Sequence, residues 1–303
     1  MASAPSPAAS IRPLKGVRIL SLALNLPGPA ALMRCRSMGA TCVKLEPPAH
    51  PAAAKGSSGD PMAIYAQTAY AAMHQGIKTL SADLKTPAGQ KVLQRELAKA
   101  DVLITSFRPS ALEKLGLGWK ALHKTYPQLS LIAIFGAPGA RAEEPGHDLT
   151  YMAENDLVTG LDLPASLYAD MGGSLMVSEA ILQARLQQMQ KGKSVRLEVA
   201  LSEAAGYLGL PRAWGLTTAG AAVGGGHAGY RVYACKDGRV AMAALEPHFA
   251  ASLAAAAGLA DSRIASMFKP ESRAVIAAFL AGKTRKQLDA LALAKDIPLH
   301  TLP

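Results

Sequence analysis

Short apolar runs alternate with helical segments along the first 140 residues of the chain. Residues 16–23 (GVRILSLA) form a short apolar run with β-branched members, which is typical of a buried strand, and residues 41–46 (TCVKLE) are a second predicted strand. Between them, an Ala-rich segment starts at Pro29 and ends at Gly39, and this pattern predicts a helix. A strand, a helix and a second strand within about thirty residues predict a βαβ unit with two parallel strands.

The same alternation continues to about residue 140. Thr86 suits the N-cap of a further helix and Pro87 its first turn. Together these segments predict a doubly wound, Rossmann-like α/β domain with a parallel sheet. The further predicted strands are 80–84, 101–107 and 129–137, and the further predicted helices are 86–100 and 109–127, the second broken near residues 116–118.

The second half of the chain has a different pattern. Residues 174–191 predict one long helix that ends at Gly192, and a Gly-rich loop lies at 221–230. We place the domain boundary near Gly192, with a tail at 1–13, the α/β domain at 14–192 and a smaller α+β domain at 193–303. The other predicted elements are a strand at 194–201, two strands within 230–245 joined by a tight turn at 236–238, and Ala-rich helix over 247–294.

Composition and charge narrow the function classes. The 303 residues are 50% hydrophobic and 18% charged, which suffices for a packed core. The formal net charge of +10 favours anionic ligands, but no aromatic platform or groove-reading motif supports nucleic-acid binding. No apolar run of about 18 residues predicts a membrane helix, and the three cysteines form no C-x-x-C. We expect a cytoplasmic protein with no metal site and no membrane or nucleic-acid partner.

The first βα turn is the natural ligand site of a doubly wound sheet. Here it includes Leu24 and Asn25 and lacks both G-x-G-x-x-G and the P-loop pattern, which argues against a dinucleotide dehydrogenase or a P-loop nucleotidase. Arg108 directly follows a predicted strand, and Lys114 lies six positions later. These two cations could bind phosphates, although charge alone favours an ordinary solvated surface.

Three further positions could carry acid–base chemistry. His147 in PGHDLTY is a candidate acid or base, and Asp148 could orient its imidazole or cap a helix that begins at Leu149. Asp170 precedes two glycines that could leave room for a substrate, but it also suits a helix N-cap. Glu246 could be an ordinary carboxylate at the end of a strand.

Together, these segments resemble the family III CoA-transferase superfamily, and within it the α-methylacyl-CoA racemases. The resemblance is carried by LKGVRILSL with its PGP turn, VKLEPP, the run from DLK through FRP to LGLG, PGHDLTY, ADMGG and LEPHF. It implies a doubly wound domain with a smaller second domain in an interlocked homodimer. It also implies acyl-CoA or CoA as the substrate, with no tightly bound cofactor.

The resemblance assigns roles residue by residue. It implies that His147 and Asp170 are opposing acid–base groups and that Glu246 assists His147. It makes Arg108 and Lys114 binding groups for the CoA phosphates. Lys78 is the cation that remains in HQGIKT, where the family is richer in arginine. The other positions expected to contact the CoA substrate are Leu24, Asn25, Gly146, Asp148 and Tyr151.

Three reactions or roles stay open at the level of the sequence. The first is racemisation or epimerisation of the α-carbon of an acyl-CoA. The second is CoA transfer between carboxylic acids through an acyl anhydride and then a thioester on Asp170. The third is a CoA-binding member with impaired catalysis. The segment from His147 to Asp170 is shorter than is usual in the family, and we expect the family's C-terminal return segment to be missing.

Overall fold

The computed structural model describes residues 11–52, 58–261 and 263–303, which form two compact units divided between Gly209 and Leu210. Most of the predicted tail, residues 1–10, lies outside the described residues. The division falls later than the boundary predicted near Gly192. The reason is that the strand following Gly192 joins the large sheet of the first unit rather than the second unit.

The first unit contains a six-stranded sheet in which every neighbouring pair is parallel. The strand order is β3-β2-β1-β4-β5-β6, as expected for a doubly wound sheet. The strands are β1 (Arg18–Ser21), β2 (Thr41–Glu46), β3 (Lys78–Ser81), β4 (Val102–Thr105), β5 (Ser130–Phe135) and β6 (Arg196–Ala200).

Helices cover both faces of this sheet, and alternate strand residues point to opposite faces. Ile104 of β4 packs in one core, whereas its neighbour Leu103 packs in the other. α1, α7, α8 and α9 contribute to the first core, and α4, α5 and α6 to the second. The helices are α1 (Pro27–Ser37), α2 (Met62–Tyr65), α3 (Gln67–His74), α4 (Pro87–Leu97), α5 (Pro109–Lys114), α6 (Trp119–Thr125), α7 (Asp148–Glu154), α8 (Tyr168–Lys191) and α9 (Leu201–Ala213).

The second unit contains a three-stranded antiparallel sheet in the order β7-β8-β9. Its core includes Tyr233, Val240, Leu253 and Ile276. The segment predicted to be Ala-rich helix contains three α-helices separated by short segments. The strand at the C-terminal end was not predicted from the sequence. The elements are β7 (Tyr230–Cys235), β8 (Gly238–Ala243), α10 (Pro247–Ala257), α11 (Pro270–Ala281), α12 (Arg285–Lys295) and β9 (Leu299–Leu302).

Local signals at several element ends are confirmed. The Thr86 hydroxyl accepts a hydrogen bond from the Gly89 N–H at 3.1 Å, so Thr86 is the N-cap of α4. The predicted break near Gly116 separates α5 from α6. α8 ends at a left-handed Gly192, but it begins at Tyr168, six residues before the predicted start. Among the described residues, no helix is long and apolar enough to span a membrane.

Candidate active site

The strand order creates a crevice where β1 and β4 lie side by side. From β1 the chain moves to β2 and β3 on one side, and β4 then starts the other side. The connections that follow β1 and β4 therefore diverge, which leaves a ligand site at the carboxyl ends of the strands. The Leu24 N–H, after β1, donates to the Ser106 hydroxyl, after β4, at 3.4 Å, so the two connections meet at this edge.

A cavity of about 170 Å³ lies at this edge, within the first unit. It brings together seven of the residues that the sequence analysis singled out. They come from four separate segments of the chain. These seven residues are Leu24, Asn25, Arg108, Gly146, His147, Tyr151 and Asp170.

His147 is the residue that precedes α7 and acts as its N-cap. Its backbone N–H donates to the Thr150 hydroxyl at 3.1 Å, and that hydroxyl donates to the His147 carbonyl at 2.7 Å. The backbone of His147 is therefore fixed from both sides. Its imidazole is exposed and lines the cavity, where it can meet a substrate.

Asp148 has neither of the roles considered from the sequence. It is the first residue of α7 and only 5% exposed, and its Oδ1 accepts the backbone N–H of Asp170 at 2.9 Å. Asp170 is the third residue of α8, and Leu167 is the N-cap, so the N-cap alternative for Asp170 is wrong. The Asp148 carboxylate satisfies a free N–H in the first turn of α8 and fastens the beginnings of the two helices together.

The environment of Asp170 favours its neutral form. Burial, together with the nearby Asp148 carboxylate, raises the pKa of Asp170 from 3.8 to about 7. A carboxyl group with this pKa is present in both protonation states near neutral pH. It can therefore both accept and return a proton, as a general acid or base requires.

The glycines after Asp170 serve helix packing. A Cβ at Gly172 would lie 2.9 Å from Leu208 Cδ1, and a Cβ at Gly173 would lie 2.3 Å from Leu201 Cδ2. Both contacts are with α9. The structure therefore explains these glycines by the close approach of α8 to α9, and not by room for a substrate, as the sequence suggested.

Besides Asp148, three of the predicted site residues do not line this cavity. Lys78 is the exposed first residue of β3, and Lys114 is the exposed last residue of α5. Glu246 belongs to the second unit and is the N-cap of α10, where its carbonyl accepts the Ala250 N–H at 2.9 Å. The roles assigned to these three residues stay predictions.

The sequence analysis missed a buried cluster of charges behind the first βα turn, formed by Lys44, Glu46 and Asp60. Lys44 and Asp60 are fully buried and form an ion pair, and Lys44 Nζ is 3.1 Å from Glu46 Oε2. Asp60 Oδ1 also accepts the N–H of Asn25, at 3.1 Å, and holds Asn25 at a φ of +62°. Two charged residues inside the apolar run TCVKLE were the available signal.

The family model for CoA-transferase family III matches residues 14–302. The chain belongs to CoA-transferase family III. The resemblance stated from the sequence is thereby confirmed, and so is the α/β architecture that it implied.

Relatives within family III carry out two kinds of reaction. The α-methylacyl-CoA racemase of Mus musculus is 29% identical over 299 residues, covering 90% of this chain and 73% of the relative. The succinyl-CoA–D-citramalate CoA-transferase of Chloroflexus aurantiacus is 31% identical over 196 residues, covering 60% of this chain and 47% of the relative. Membership of family III therefore includes both racemases and transferases.

The fold is also similar to that of a solved structure. The crystal structure of the hypothetical protein Rv3272 from Mycobacterium tuberculosis gives a TM-score of 0.79 at 25% identity, covering 95% of this chain and 84% of that one. The likeness extends over both compact units, because it covers nearly the whole chain.

Proposed function

We propose that this family III protein racemises or epimerises the α-carbon of an acyl-CoA thioester by two-base proton transfer. The observation that carries the proposal is the shared cavity of His147 and Asp170, in which the Asp170 pKa is raised to about 7. Two different titratable groups that face one cavity suit the two proton transfers that inversion requires.

The chemistry needs a base on each side of one carbon. The proton α to a thioester carbonyl is weakly acidic, because the enolate that forms can place its charge on oxygen. One group removes this proton from one face, and the other, in its protonated form, delivers a proton to the opposite face. The product has the same atoms as the substrate, and the two groups exchange protonation states. Return of protons through solvent resets them.

The other predicted residues complete the proposal. Arg108 lines the cavity beside the proposed bases and is suited to a CoA phosphate. In this proposal Lys78 and Lys114 add positive charge for the remaining phosphates. Glu246 assists His147 in an interlocked homodimer. CoA enters as part of the substrate, and no tightly bound cofactor takes part.

Exchange of the α-proton with solvent tests the proposal. A 2-methyl-branched acyl-CoA is incubated in deuterated water with the wild type, His147→Ala and Asp170→Ala, and deuterium uptake is followed by mass spectrometry. We expect each variant to lose about 10²–10⁴-fold in exchange rate. Glu179→Gln, which changes an exposed carboxylate on α8, is the control and should keep the wild-type rate. Exchange that neither site variant affects would falsify the assignment.

CoA transfer is the competing reaction, because transferases are among the relatives at comparable identity. In that reaction the Asp170 carboxylate attacks the thioester, displaces CoA as a thiolate and forms an acyl anhydride. The CoA thiolate then attacks the Asp170 carbonyl carbon of the anhydride, which releases the first acid as a carboxylate and leaves a CoA thioester on Asp170. Hydroxylamine or borohydride added during turnover with succinyl-CoA and a second carboxylic acid would trap these species. A label on Asp170 would contradict the racemase proposal and identify CoA transfer as the reaction. Without label or transfer, but with α-proton exchange, the racemase proposal stands.

A further inference from the structure

The segment between β5 and α7 brings His147 to the cavity. It contains a short 3₁₀-helix, Gly139–Glu143, and three further residues, 144–146. The capping contacts between His147 and Thr150 fix the backbone of His147 at the start of α7. They do not fix how the preceding segment lies against α7, so the position of His147 in the cavity depends on further contacts.

Arg141, in the 3₁₀-helix, contacts a carboxylate on each side of His147. Its Nη1 and Nη2 atoms donate to the two carboxylate oxygens of Glu154, the last residue of α7, and the Nη2 bond is 3.2 Å long. Its Nε donates to Glu144 Oε2 at 2.9 Å. One guanidinium therefore joins a residue three positions before His147 to a residue seven positions after it.

The shape of the guanidinium makes this a directional link. A bidentate pair between arginine and a carboxylate fixes an orientation as well as a distance, which the point charge of a lysine does not do. The pair with Glu154 therefore orients the 3₁₀-helix against α7. The bond to Glu144 fixes the chain where it turns towards the cavity, because Glu144 lines that cavity together with His147.

The link is suited to setting geometry rather than to stabilising the fold. The side chains of Arg141, Glu144 and Glu154 are 49%, 53% and 39% exposed, and exposed ion pairs contribute little to the free energy of unfolding. Hydrogen bonds from Arg141 lower the pKa of Glu154, and hydrogen bonds to Glu154 and Glu144 raise the pKa of Arg141. Arg141 and Glu154 therefore stay charged near pH 7, where Asp170 titrates.

The 3₁₀-helix is also attached to the start of α5. Glu143 accepts the Ser110 N–H at 2.7 Å and the Ser110 hydroxyl at 3.0 Å. Ser110 lies two positions after Arg108, which lines the cavity. One short helix is therefore tied to the segments that carry Arg108 and His147, and Arg141 supplies the tie to the second.

We propose that Arg141 is a positioning residue that sets where the His147 imidazole lies in the cavity, by joining Glu144 to Glu154. This inference rests on the proposed function, in which His147 must meet one face of the α-carbon. Arg141 is not among the described residues that line the cavity, so it acts through His147. A displacement of about 1 Å at a reacting group can cost about 10²-fold in rate.

A direct contact between Arg141 and a CoA phosphate is the competing interpretation. The Nε, Nη1 and Nη2 atoms of Arg141 already donate to carboxylates, which a phosphate would have to displace. The two interpretations differ in their kinetics. Loss of a phosphate contact raises KM and leaves kcat unchanged, whereas a displaced His147 lowers kcat.

Nuclear magnetic resonance tests the position of His147 without a substrate. Labelling with ¹³C at Cε1 gives ring signals for the seven histidines, and His147→Gln identifies the signal of His147. We expect this signal to shift or split in Arg141→Met and in Glu154→Gln, and to stay in place in Arg196→Met. That control breaks a comparably exposed ion pair, between Arg196 and Glu198, and Arg196 lies at the amino end of β6, away from the cavity.

Kinetics of α-proton exchange provide the second readout. We expect Arg141→Met to lower kcat about 10–10²-fold, with KM changed less than about threefold. Arg141→Lys keeps the charge but not the planar link, so it should restore only part of kcat. The loss caused by Arg141→Met should be smaller in a Glu154→Gln background, because one of the two pairs is already broken there. Thermal unfolding midpoints should be similar for Arg141→Met and the control Arg196→Met.

The outcomes separate this inference from the proposed function. An unchanged His147 signal in Arg141→Met overturns the positioning role, whatever the rate. A raised KM with an unchanged kcat overturns it in favour of a phosphate contact. In both cases α-proton exchange by the wild type leaves the proposed function intact. If the wild type shows no exchange while the His147 signal still moves in Arg141→Met, the proposed function falls and the link from Arg141 to His147 stands.

Discussion

Two groups of buried or half-buried carboxylates in the first unit have neighbours of opposite charge. In the Lys44 cluster, the Lys44 ammonium pairs with both Asp60 and Glu46. In the active-site cavity, Asp148 and Asp170 are close enough for the charge of one to raise the pKa of the other. Among the ion pairs of the described residues, none includes Asp148 or Asp170.

The difference separates a structural use of buried acids from a chemical one. A cation between two carboxylates offsets their charge, and their remaining oxygens can accept backbone N–H groups, as Asp60 accepts the N–H of Asn25. Without such a cation, one carboxyl group is driven towards its neutral form and can exchange a proton near pH 7. The two sites sit on either side of the Asn25 turn, so the structural cluster supports a wall of the reactive cavity.

The largest expected effect comes from removing the cation of the structural cluster. Lys44→Met leaves Asp60 and Glu46 buried without a counter-charge, and we expect the free energy of unfolding to fall by about 3–5 kcal/mol. Urea denaturation followed by circular dichroism measures it. The control is Lys99→Met, because the Lys99 side chain is 53% exposed and its pair with Glu96 should contribute less than about 1 kcal/mol. Equal stabilities for the two variants would contradict the role given to Lys44.

The second effect concerns Asp170 itself. Its folded-state pKa of about 7 lies above the unfolded value of 3.8, so the folded protein loses stability as pH rises through this window. Asp170→Asn removes the ionisation. We expect it to raise the free energy of unfolding at pH 8.5 by about 2 kcal/mol and to change it little at pH 4.

Thermal unfolding at both pH values provides the measurement for Asp170→Asn. Glu179→Gln, on the exposed side of α8, should show no such pH dependence. A gain for Asp170→Asn that is the same at pH 4 and pH 8.5 would mean that the carboxyl group does not titrate in this window.

The smallest expected effect comes from removing the charge of Asp148 beside Asp170. Asp148→Asn removes the second cause of the raised Asp170 pKa, while its amide oxygen can still accept the Asp170 N–H. The acidic limb of the pH profile of α-proton exchange should therefore move below pH 7. The midpoint moves only part of the way towards the ordinary value, because burial is the larger cause of the raised Asp170 pKa and is unchanged in this variant. We expect a rate increase of a few-fold at pH 6 and none at pH 8. If the midpoint stays in place or rises, the Asp148 charge does not contribute to the raised pKa of Asp170.

The parallel sheet was readable from the sequence because its central strands are buried on both faces. β4 (VLIT) and β5 (SLIAIF) are apolar along almost their whole length, as parallel strands must be when helices cover both faces. β3 lies at the edge of the sheet and is mostly exposed, so its predicted position was two residues too late. β9 (LHTL) is only partly buried, and no apolar run marks it in the sequence.

The site was readable only in part. The PGHDLTY and ADMGG motifs singled out His147 and Asp170, and both line one cavity. The hydrogen bond from the Asp170 N–H to Asp148 joins residues 22 positions apart, and the phenol end of Tyr151 packs where a Cβ at Gly136 or Gly146 would lie. Such relations follow from the packing of α7 against α8 and β5, which no local pattern encodes.

The bond between the beginnings of α7 and α8 also frees the segment that joins these helices. Residues 155–167 include Leu161 and Leu163, which are among the most exposed large hydrophobic side chains of the described chain. Since the hydrogen bond joins α7 to α8 directly, this segment serves only as a connection. Its length can change during evolution without moving His147 and Asp170. A lineage could lengthen or trim it to accept a different acyl chain and leave the chemistry untouched.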